Sequence, residues 1–533
     1  MLSACVAGEK TEPTREPTPT QERAQATATP LTATATAEAV LVDAVWWDEA
    51  VFYEIFVRSF YDTDGDGIGD FNGITQKLDY LQDLGITALW LMPIHPSPSY
   101  HGYDILNYYA VNPDYGTLED FQNLLAEAHE HDIRIIIDLV LNHTSSQHPF
   151  FADANSNLES PYRDWYIWSD TNPGNGWHQG SSGYYFGYFW GGMPDLSYKN
   201  PEVTAQMDQV VRFWLEKVGV DGFRVDAAKH LIEEGTQVEN TPATHAWYKT
   251  FYAAYKTEFP QAYIIGEVFG AGAFIGTTYL EQFDHLFNFE LASGFLNSAN
   301  GGSNSGANSA FSFTLKDMPL GGYATFLTNH DQNRAASVLN NDTNKAKVAA
   351  SLLLTAPGTP FIYYGEEMGM PGKKPDEDLR LPMQWSGDPN AGFSTGAPWR
   401  AVDSGYLQVN AALQANDPAS LLSHYRTLIA LRHQHPALRT GATTLVKPSV
   451  STLFASLRTS AEEQILVLIN LSDEPVQAFT LSVASSPLAV GDYQLESLLG
   501  EWDAVLSVDQ NGGFTLESPL AIQPYQTLIL QFK

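Results

Sequence analysis

Eight short apolar runs recur between Val51 and Tyr364, each leading into a loop and an amphipathic stretch. They are Val51–Arg58, Ile86–Pro93, Ile133–Val140, Gly222–Ala227, Tyr263–Val268, His285–Phe289, Ala324–Asn329 and Pro360–Tyr364. Short runs rich in Val, Ile and Phe suit strands buried on both faces, as in a parallel sheet covered by helices. Strand, loop and helix repeated in this way predict an α/β chain folded as a (β/α)8 TIM barrel. A doubly wound open sheet is the competing architecture. It usually carries a phosphate-binding glycine fingerprint after an early strand, and no such fingerprint follows one here.

Two regions interrupt or extend the repeat. Roughly sixty residues separate the third run from a helix near Glu202–Val218, far more than a βα connection needs. They are packed with aromatics, including Trp165, Tyr166, Trp168, Trp177, Tyr184, Tyr185, Phe186, Tyr188, Phe189 and Trp190. A small inserted domain on the catalytic face is expected, with part of this set forming its own core and the rest lining a cleft. After the helix Leu421–Arg432 the pattern changes to alternating strands such as Gln464–Leu471 and Thr527–Phe532, which predicts a C-terminal antiparallel β-sandwich. The expected organisation is a tether over 1–42, the barrel over 43–140 and 200–440, the insert over 141–199, and the sandwich over 441–533.

Charge narrows the partners. A net charge of −34 disfavours nucleic acid and anionic membrane surfaces. No apolar run reaches the length of a membrane-spanning helix. One cysteine, Cys5, rules out an internal disulfide framework. Leu2-Ser3-Ala4-Cys5 resembles the lipobox of bacterial lipoproteins, and the Thr-, Ala- and Pro-rich stretch from Val6 to about Ala39 reads as a flexible tether. A lipid anchor through Cys5, and a place outside the cytoplasm as a secreted or membrane-anchored protein, are expected.

In a barrel, reactive groups gather where strands end. The third run ends in DLVLNH with Asp138, Asn142 and His143; the fourth in GFRVDAAKH with Arg224, Asp226, Lys229 and His230. The fifth brings Glu267, and the seventh brings His330 and Asp331. A set of three carboxylates, Asp226, Glu267 and Asp331, beside an arginine suits cleavage of a glycosidic bond. One carboxylate attacks the anomeric carbon and a protonated one donates to the leaving oxygen. A separate acidic loop, YDTDGDGIGD, places carboxylates at Asp62, Asp64, Asp66 and Asp70, with Gly67 sixth from Asp62. That matches the first nine positions of an EF-hand loop, but Gly73 stands where the bidentate Glu belongs. Calcium sensor, stray acidic turn and structural metal clip are the three readings.

These segments resemble the four signature regions of glycoside hydrolase family 13, the α-amylase family. VFYEIF (Val51–Phe56), Gly102-Tyr103-Asp104 and PDEDLRLPMQW (Pro375–Trp385) extend the match. The resemblance implies that Asp226 is the nucleophile, Glu267 the acid/base, and Asp331 the third carboxylate. It implies that Arg224 orients Asp226, that Tyr103 stacks under the reacting sugar, and that His143 and His330 bind its hydroxyls. Lys229 and His230 would reach the sugar beyond the cleaved bond, and α-glucosidic bonds would be cut with retention. In the oligo-1,6-glucosidase-like branch such an acidic loop binds one calcium or magnesium, implying Asp62, Asp64, Asp66, the Ile68 carbonyl and Asp70 as ligands. A second calcium would sit at Asn142, Asp195 and the His230 carbonyl, without an identifiable acidic ligand from the insert.

The segment MPDLSY (Met193–Tyr198) resembles the MPDLN signature of a group between oligo-1,6-glucosidases and neopullulanases, with Ser197 in place of Asn. Exo-acting α-glucosidases usually carry an Asp where this chain has Tyr100. An open cleft, a monomer, and endo-acting hydrolysis of starch or maltooligosaccharides are therefore expected. The alternatives are an α-glucosidase or neopullulanase-like enzyme on short or α-1,6-linked substrates, and a non-catalytic sugar-binding lipoprotein.

Overall fold

The computed structural model describes residues 45–518 and 520–533. The lipobox and tether expected over 1–42 lie outside them. Eight parallel strands close into a barrel: β1 (Phe52–Ile55), β2 (Ala88–Leu91), β3 (Arg134–Leu139), β4 (Gly222–Val225), β5 (Tyr263–Gly266), β6 (His285–Phe287), β7 (Tyr323–Thr325) and β8 (Thr359–Tyr363). Each lies beside its neighbour in sequence, and β8 closes on β1 with Phe52 opposite Phe361. The fold is the TIM barrel. Most of the predicted runs extend beyond their ladders. Val57–Ser59, for example, leaves β1 as a tight 3-10 turn, yet stays buried against the loops of the barrel mouth.

Helices cover the outside for local reasons. Thr117 and Asp120 cap Leu118–Glu130 reciprocally, and its buried stripe of Phe121, Leu124, Leu125 and Ala128 packs on β3. The helix expected near Glu202–Val218 runs from Pro201 to Arg212 and then widens into a π-turn, Phe213–Val218. There the fully buried Trp214 donates its indole N–H to the Tyr108 carbonyl at 2.8 Å.

The barrel interior has an apolar floor and a charged top, set by the two-residue side-chain period of a strand. Phe52, Trp90, Ile136, Ile265, Phe287, Ala324 and Phe361 fill the floor as one cluster, with Phe52 and Phe361 stacked 4.2 Å apart. Two residues further along the same rows stand Glu54, Asp138 and Glu267, and β4 contributes Arg224 and Asp226. Every inward row that ends in a charge delivers it to the same mouth.

The insert after β3 contains the helix Pro149–Ser156 and a small sheet of Trp168–Ser169, Gly183–Phe186 and Trp177–Gly180. Its aromatics divide. Trp165, Tyr166, Tyr185 and Phe186 are buried, and Trp168 stacks on Phe151 at 5.7 Å, whereas Tyr188, Phe189 and Trp190 face solvent at the cleft. The C-terminal strands form one continuous antiparallel ladder of nine. Its two edge strands, Ala442–Leu445 and Lys447–Pro448, are separated in sequence by Val446 alone, so the sheet must curl until its edges meet. Val446, Leu466, Leu481, Leu506 and Leu530 fill the enclosed core, while Phe454, Val467 and Ile529 on the opposite face belong to the core shared with the barrel.

Candidate active site

Arg224 is the hub of the mouth. It is fully buried, and its Nη1 donates to Asp226 Oδ1 at 2.8 Å, to the Tyr103 hydroxyl at 3.3 Å, and to Asp138. Its Nη2 pairs with Glu267 Oε2 at 3.1 Å. The guanidinium lies over the Trp90 ring at 4.9 Å, and the Trp90 indole N–H donates to Asp138 at 3.1 Å. One cation thus faces three carboxyl groups drawn from β3, β4 and β5.

A second cluster holds Asp331. Arg380 donates from Nη2 to Asp331 Oδ1 at 2.8 Å and from Nε to the His330 carbonyl at 3.1 Å. His330 lies between Glu54, 2.6 Å from its Nδ1, and the Tyr103 hydroxyl, 2.7 Å from its Nε2. The Tyr103 and His330 rings lie nearly parallel, 5.6 Å apart.

The environment separates the carboxyls. Burial raises Glu267 to about 7, against Arg224 and with help from the Asp226 and Asp331 charges. Burial also raises Asp226, where the Arg224 contact opposes it. For Asp331, burial works against the charge, yet His330, Arg380, Arg224 and Lys374 outweigh it and hold the group below the ordinary carboxylate range. With the His330 ring itself kept neutral by burial, Arg380 is the nearest full charge. A carboxyl that keeps its proton near neutrality, in one mouth with a second, Asp331, held ionised, is the kind of pairing acid-assisted displacement uses.

These groups open into a cavity of about 510 Å³ lined by Tyr103, His143, Asp226, Lys229, His230, Glu267 and Asp331, among others. The structure therefore brings the predicted catalytic and sugar-binding residues to one cavity, apart from Arg224 and His330, which are wholly buried just beneath it. His143 is buried and held neutral, down to about 3, and its Nε2 has no hydrogen-bond partner among the described residues. Lys229 pairs with Glu239 at 2.9 Å, and His230 stacks on Tyr188 at 3.9 Å. Between the Asp226 row and the turn Ala228–His230, Ala227 adopts the left-handed conformation (φ 48°) and donates its N–H to Glu267 at 3.1 Å. Such strain in a non-glycine residue is held only where the surroundings over-determine it.

Three further residues, Asp138, Glu54 and Arg380, belong to the site without a sequence signal that assigns them to it. Asp138 stands at a strand end, but its partnership with Arg224 leaves no mark in the sequence. Glu54 and Arg380 lay inside the quoted VFYEIF and PDEDLRLPMQW segments, and inward periodicity from Phe52 pointed to Glu54. Nothing in the sequence ties Arg380 to Asp331.

The acidic loop fits a cation in part. Asp62, Asp64 and Asp70 each offer an oxygen within 4.8 Å of the others. Asp66, the fourth carboxylate of the expected set, accepts the Ile68 N–H at 2.7 Å, as Asp64 accepts the Asp66 N–H at 3.1 Å. Asp62 accepts the N–H groups of Gly65 and Gly67 at 2.7 and 2.8 Å, which curls the loop around that carboxylate. Gly67 is required there: its φ is 93°, and a Cβ would fall 1.9 Å from the Ala397 carbonyl. At the second place, Asn142 Oδ1 and Asp195 Oδ2 are buried without hydrogen-bond partners among the described residues. The Glu233 carboxyl lies against Asp195 and, with burial, raises it well above its ordinary value. The acidic neighbour not found in the insert thus comes from the segment after β4. Orphaned buried oxygens beside a carboxyl pair are a donor set suited to a hard cation.

The family model described as alpha amylase, catalytic domain, matches residues 54–441. The chain belongs to the α-amylase family. It is a glycoside hydrolase of that family. It is 42% identical to alpha-amylase 3 of Dictyoglomus thermophilum over 439 residues, covering 80% of this chain and 85% of that protein. It is 34% identical to an oligo-1,6-glucosidase of Heyndrickxia coagulans over 538 residues, covering 84% and 96%. The crystal structure of an α-amylase from H. orenii matches with a TM-score of 0.79 at 38% identity, over 91% of this chain and 99% of that one.

Proposed function

We propose that the protein is a retaining, endo-acting α-amylase that hydrolyses α-1,4-glucosidic bonds of starch and maltooligosaccharides. The observation that carries the chemistry is Arg224 shared between Asp226 and Glu267, with Glu267 raised to about 7. Asp226 attacks the anomeric carbon while Glu267 gives its proton to the leaving oxygen. Water then attacks the same carbon, Glu267 takes the proton back, and the bond to Asp226 breaks, so two inversions restore the configuration. Asp331, kept ionised by Arg380, grips hydroxyls of the distorting ring. Tyr103, braced from beneath by His330, supplies its floor, His143 binds beside it, and Lys229 with His230 meets the next sugar.

Endo action is supported at Tyr100. Its ring lies against Trp399 at 5.4 Å and 22°, so position 100 offers an aromatic ring in place of the carboxylate that would clasp a chain end. The likeness to an oligo-1,6-glucosidase carries the rival reading, cleavage of short α-1,6-linked substrates. A chromatographic time course on soluble starch, isomaltose and panose separates them. Mixed maltooligosaccharides appearing early from starch support the proposal; glucose from isomaltose and panose, with starch left long, overturns it.

We also assign calcium to the acidic loop, through Asp62, Asp64, Asp66, Asp70 and the Ile68 carbonyl. A second calcium is assigned to Asn142, Asp195, Glu233 and the His230 carbonyl. Bound there, calcium would clamp the loop and dock the insert on the barrel, with no part in bond cleavage. At a hundredfold excess over its dissociation constant each ion stabilises by about 2.7 kcal/mol. Chelation should therefore lower the thermal midpoint, and Asp62→Asn and Asp195→Asn should each remove one equivalent of calcium in a titration. A midpoint unmoved by chelator would sink both sites. The anchor at Cys5 predicts labelled-palmitate incorporation that Cys5→Ala abolishes.

A further inference from the structure

Glu54 is a buried carboxyl of the barrel mouth with no part in the bond-breaking steps. It stands on β1, 2% exposed, and its Oε1 lies 2.6 Å from His330 Nδ1 and 3.4 Å from the His330 backbone N. The His330 ring is its one neighbour at ion-pair distance among the described residues. The charged and titratable groups facing it are Asp138 on β3, Arg224 on β4, Asp331 after β7 and Tyr363 on β8. Burial, with the Asp331 and Asp138 charges, pushes its carboxyl well above the ordinary range, against Arg224 and the His330 N–H.

The neighbours of the other ring nitrogen decide where the histidine proton sits. A neutral His330 carries one ring N–H, and the partner of one nitrogen fixes the role of the other. Nε2 lies 2.7 Å from the Tyr103 hydroxyl and 3.4 Å from Asp331 Oδ2. Asp331 is held ionised, so a bare lone pair on Nε2 would repel it, whereas an N–H there attracts it. With the proton on Nε2, Nδ1 becomes an acceptor. A Glu54 carboxylate at 2.6 Å would then set lone pair against lone pair, so the carboxyl must bring a hydrogen of its own. The two observations agree: a carboxyl buried without a full cation beside it favours its neutral form. The Tyr103 oxygen can accept from Nε2 while its own proton turns to Asp138 Oδ2, 3.4 Å away.

We propose that Glu54 is a positioning residue: as a neutral acid it donates to His330 Nδ1 and so locks the tautomer that supports Asp331 and braces Tyr103. The hydrogen bonds then run one way around the mouth, from Glu54 through His330 and Tyr103 to Asp138. Glu54 touches no substrate and exchanges no proton during turnover. Its effect on rate rests on the retaining reading above, in which Asp331 grips the distorting ring and Tyr103 lies beneath it. The tautomer itself does not rest on that reading.

The test joins a spectrum to kinetics. Long-range proton–nitrogen correlation of the full chain, labelled with 15N in its histidine rings, reads the tautomer, and His330→Gln identifies the His330 signals by their loss. The wild type and Glu54→Gln should both show His330 protonated at Nε2 and bare at Nδ1. Glu54→Gln, whose amide is a neutral donor of the same shape, should cleave starch close to the wild-type rate. Glu54→Met, of similar length without a donor, should lose roughly two- to twelvefold, the scale of one hydrogen bond. That loss should fall on kcat rather than KM, because Asp331 and Tyr103 act on the distorting ring. A proton on Nδ1 in the wild type would overturn the inference. So would a Glu54→Gln enzyme as impaired as Glu54→Met, which would mean that a carboxylate is needed, or a Glu54→Met enzyme with wild-type kcat. Should Glu54→Met fail to fold by circular dichroism, the wild-type spectrum and the Glu54→Gln rate still decide. Starch left uncut by a wild type that shows the expected tautomer would bring down the hydrolase reading alone.

Discussion

A Glu267→Gln enzyme loses on the order of 10²–10⁴ of kcat on starch, the usual worth of a positioned general acid. Gln fills the same space and keeps the hydrogen bond from Ala227, so the loss reports the missing proton. The pH profile carries the sharper signature. Glu267 must be protonated to assist the leaving oxygen, and burial, reinforced by the Asp226 and Asp331 charges, keeps its proton up to about 7. Wild-type kcat/KM should therefore fall as pH rises through about 7, and the variant should lack that limb. A maltosyl fluoride, whose leaving group needs no proton, should recover the first step in the variant. A variant that keeps the wild-type alkaline limb would show that another group is the acid.

Arg224→Met has the largest expected effect on stability. Arg224 is fully buried and is the cation shared by Asp138, Asp226 and Glu267. Removing one partner of a buried ionic network typically costs about 3–5 kcal/mol, because the remaining charges stay in a low-dielectric site. The carboxyls should respond by taking up protons. Asp226 is already raised by burial and loses the contact that opposes it, so residual activity should rise with pH where the wild type is flat. Urea unfolding of Arg224→Met and of Arg224→Met/Asp138→Leu measures the penalty. The double variant should regain part of the loss by removing one uncompensated carboxyl. A cost below about 1 kcal/mol would mean that the three carboxyls do not depend on Arg224, against the range expected for a buried network.

The two predictions draw differently on sequence and fold. Asp226 and Glu267 were legible because each lies at or just beyond the end of an apolar run, and a barrel brings such ends together. The insert was legible from the length and aromatic content of one interval. The aromatic division was not, since Trp165 and Trp190 look alike until burial assigns one to a core and leaves the other open. The closure of the C-terminal sheet was also hidden, because strand pairing over long separations leaves no local pattern.

The sequence by itself determined the barrel, the insert and the three carboxylates, because side-chain period and strand ends are local properties of the chain. Only the tertiary structure decided the electrostatics. Glu54 meets His330 across 276 residues, and Arg380 reaches Asp331 from 49 residues away. Glu233 reaches Asp195. Whether a carboxyl keeps or loses its proton depends on the dielectric around it and the charges within a few ångströms, and folding alone assembles those neighbours.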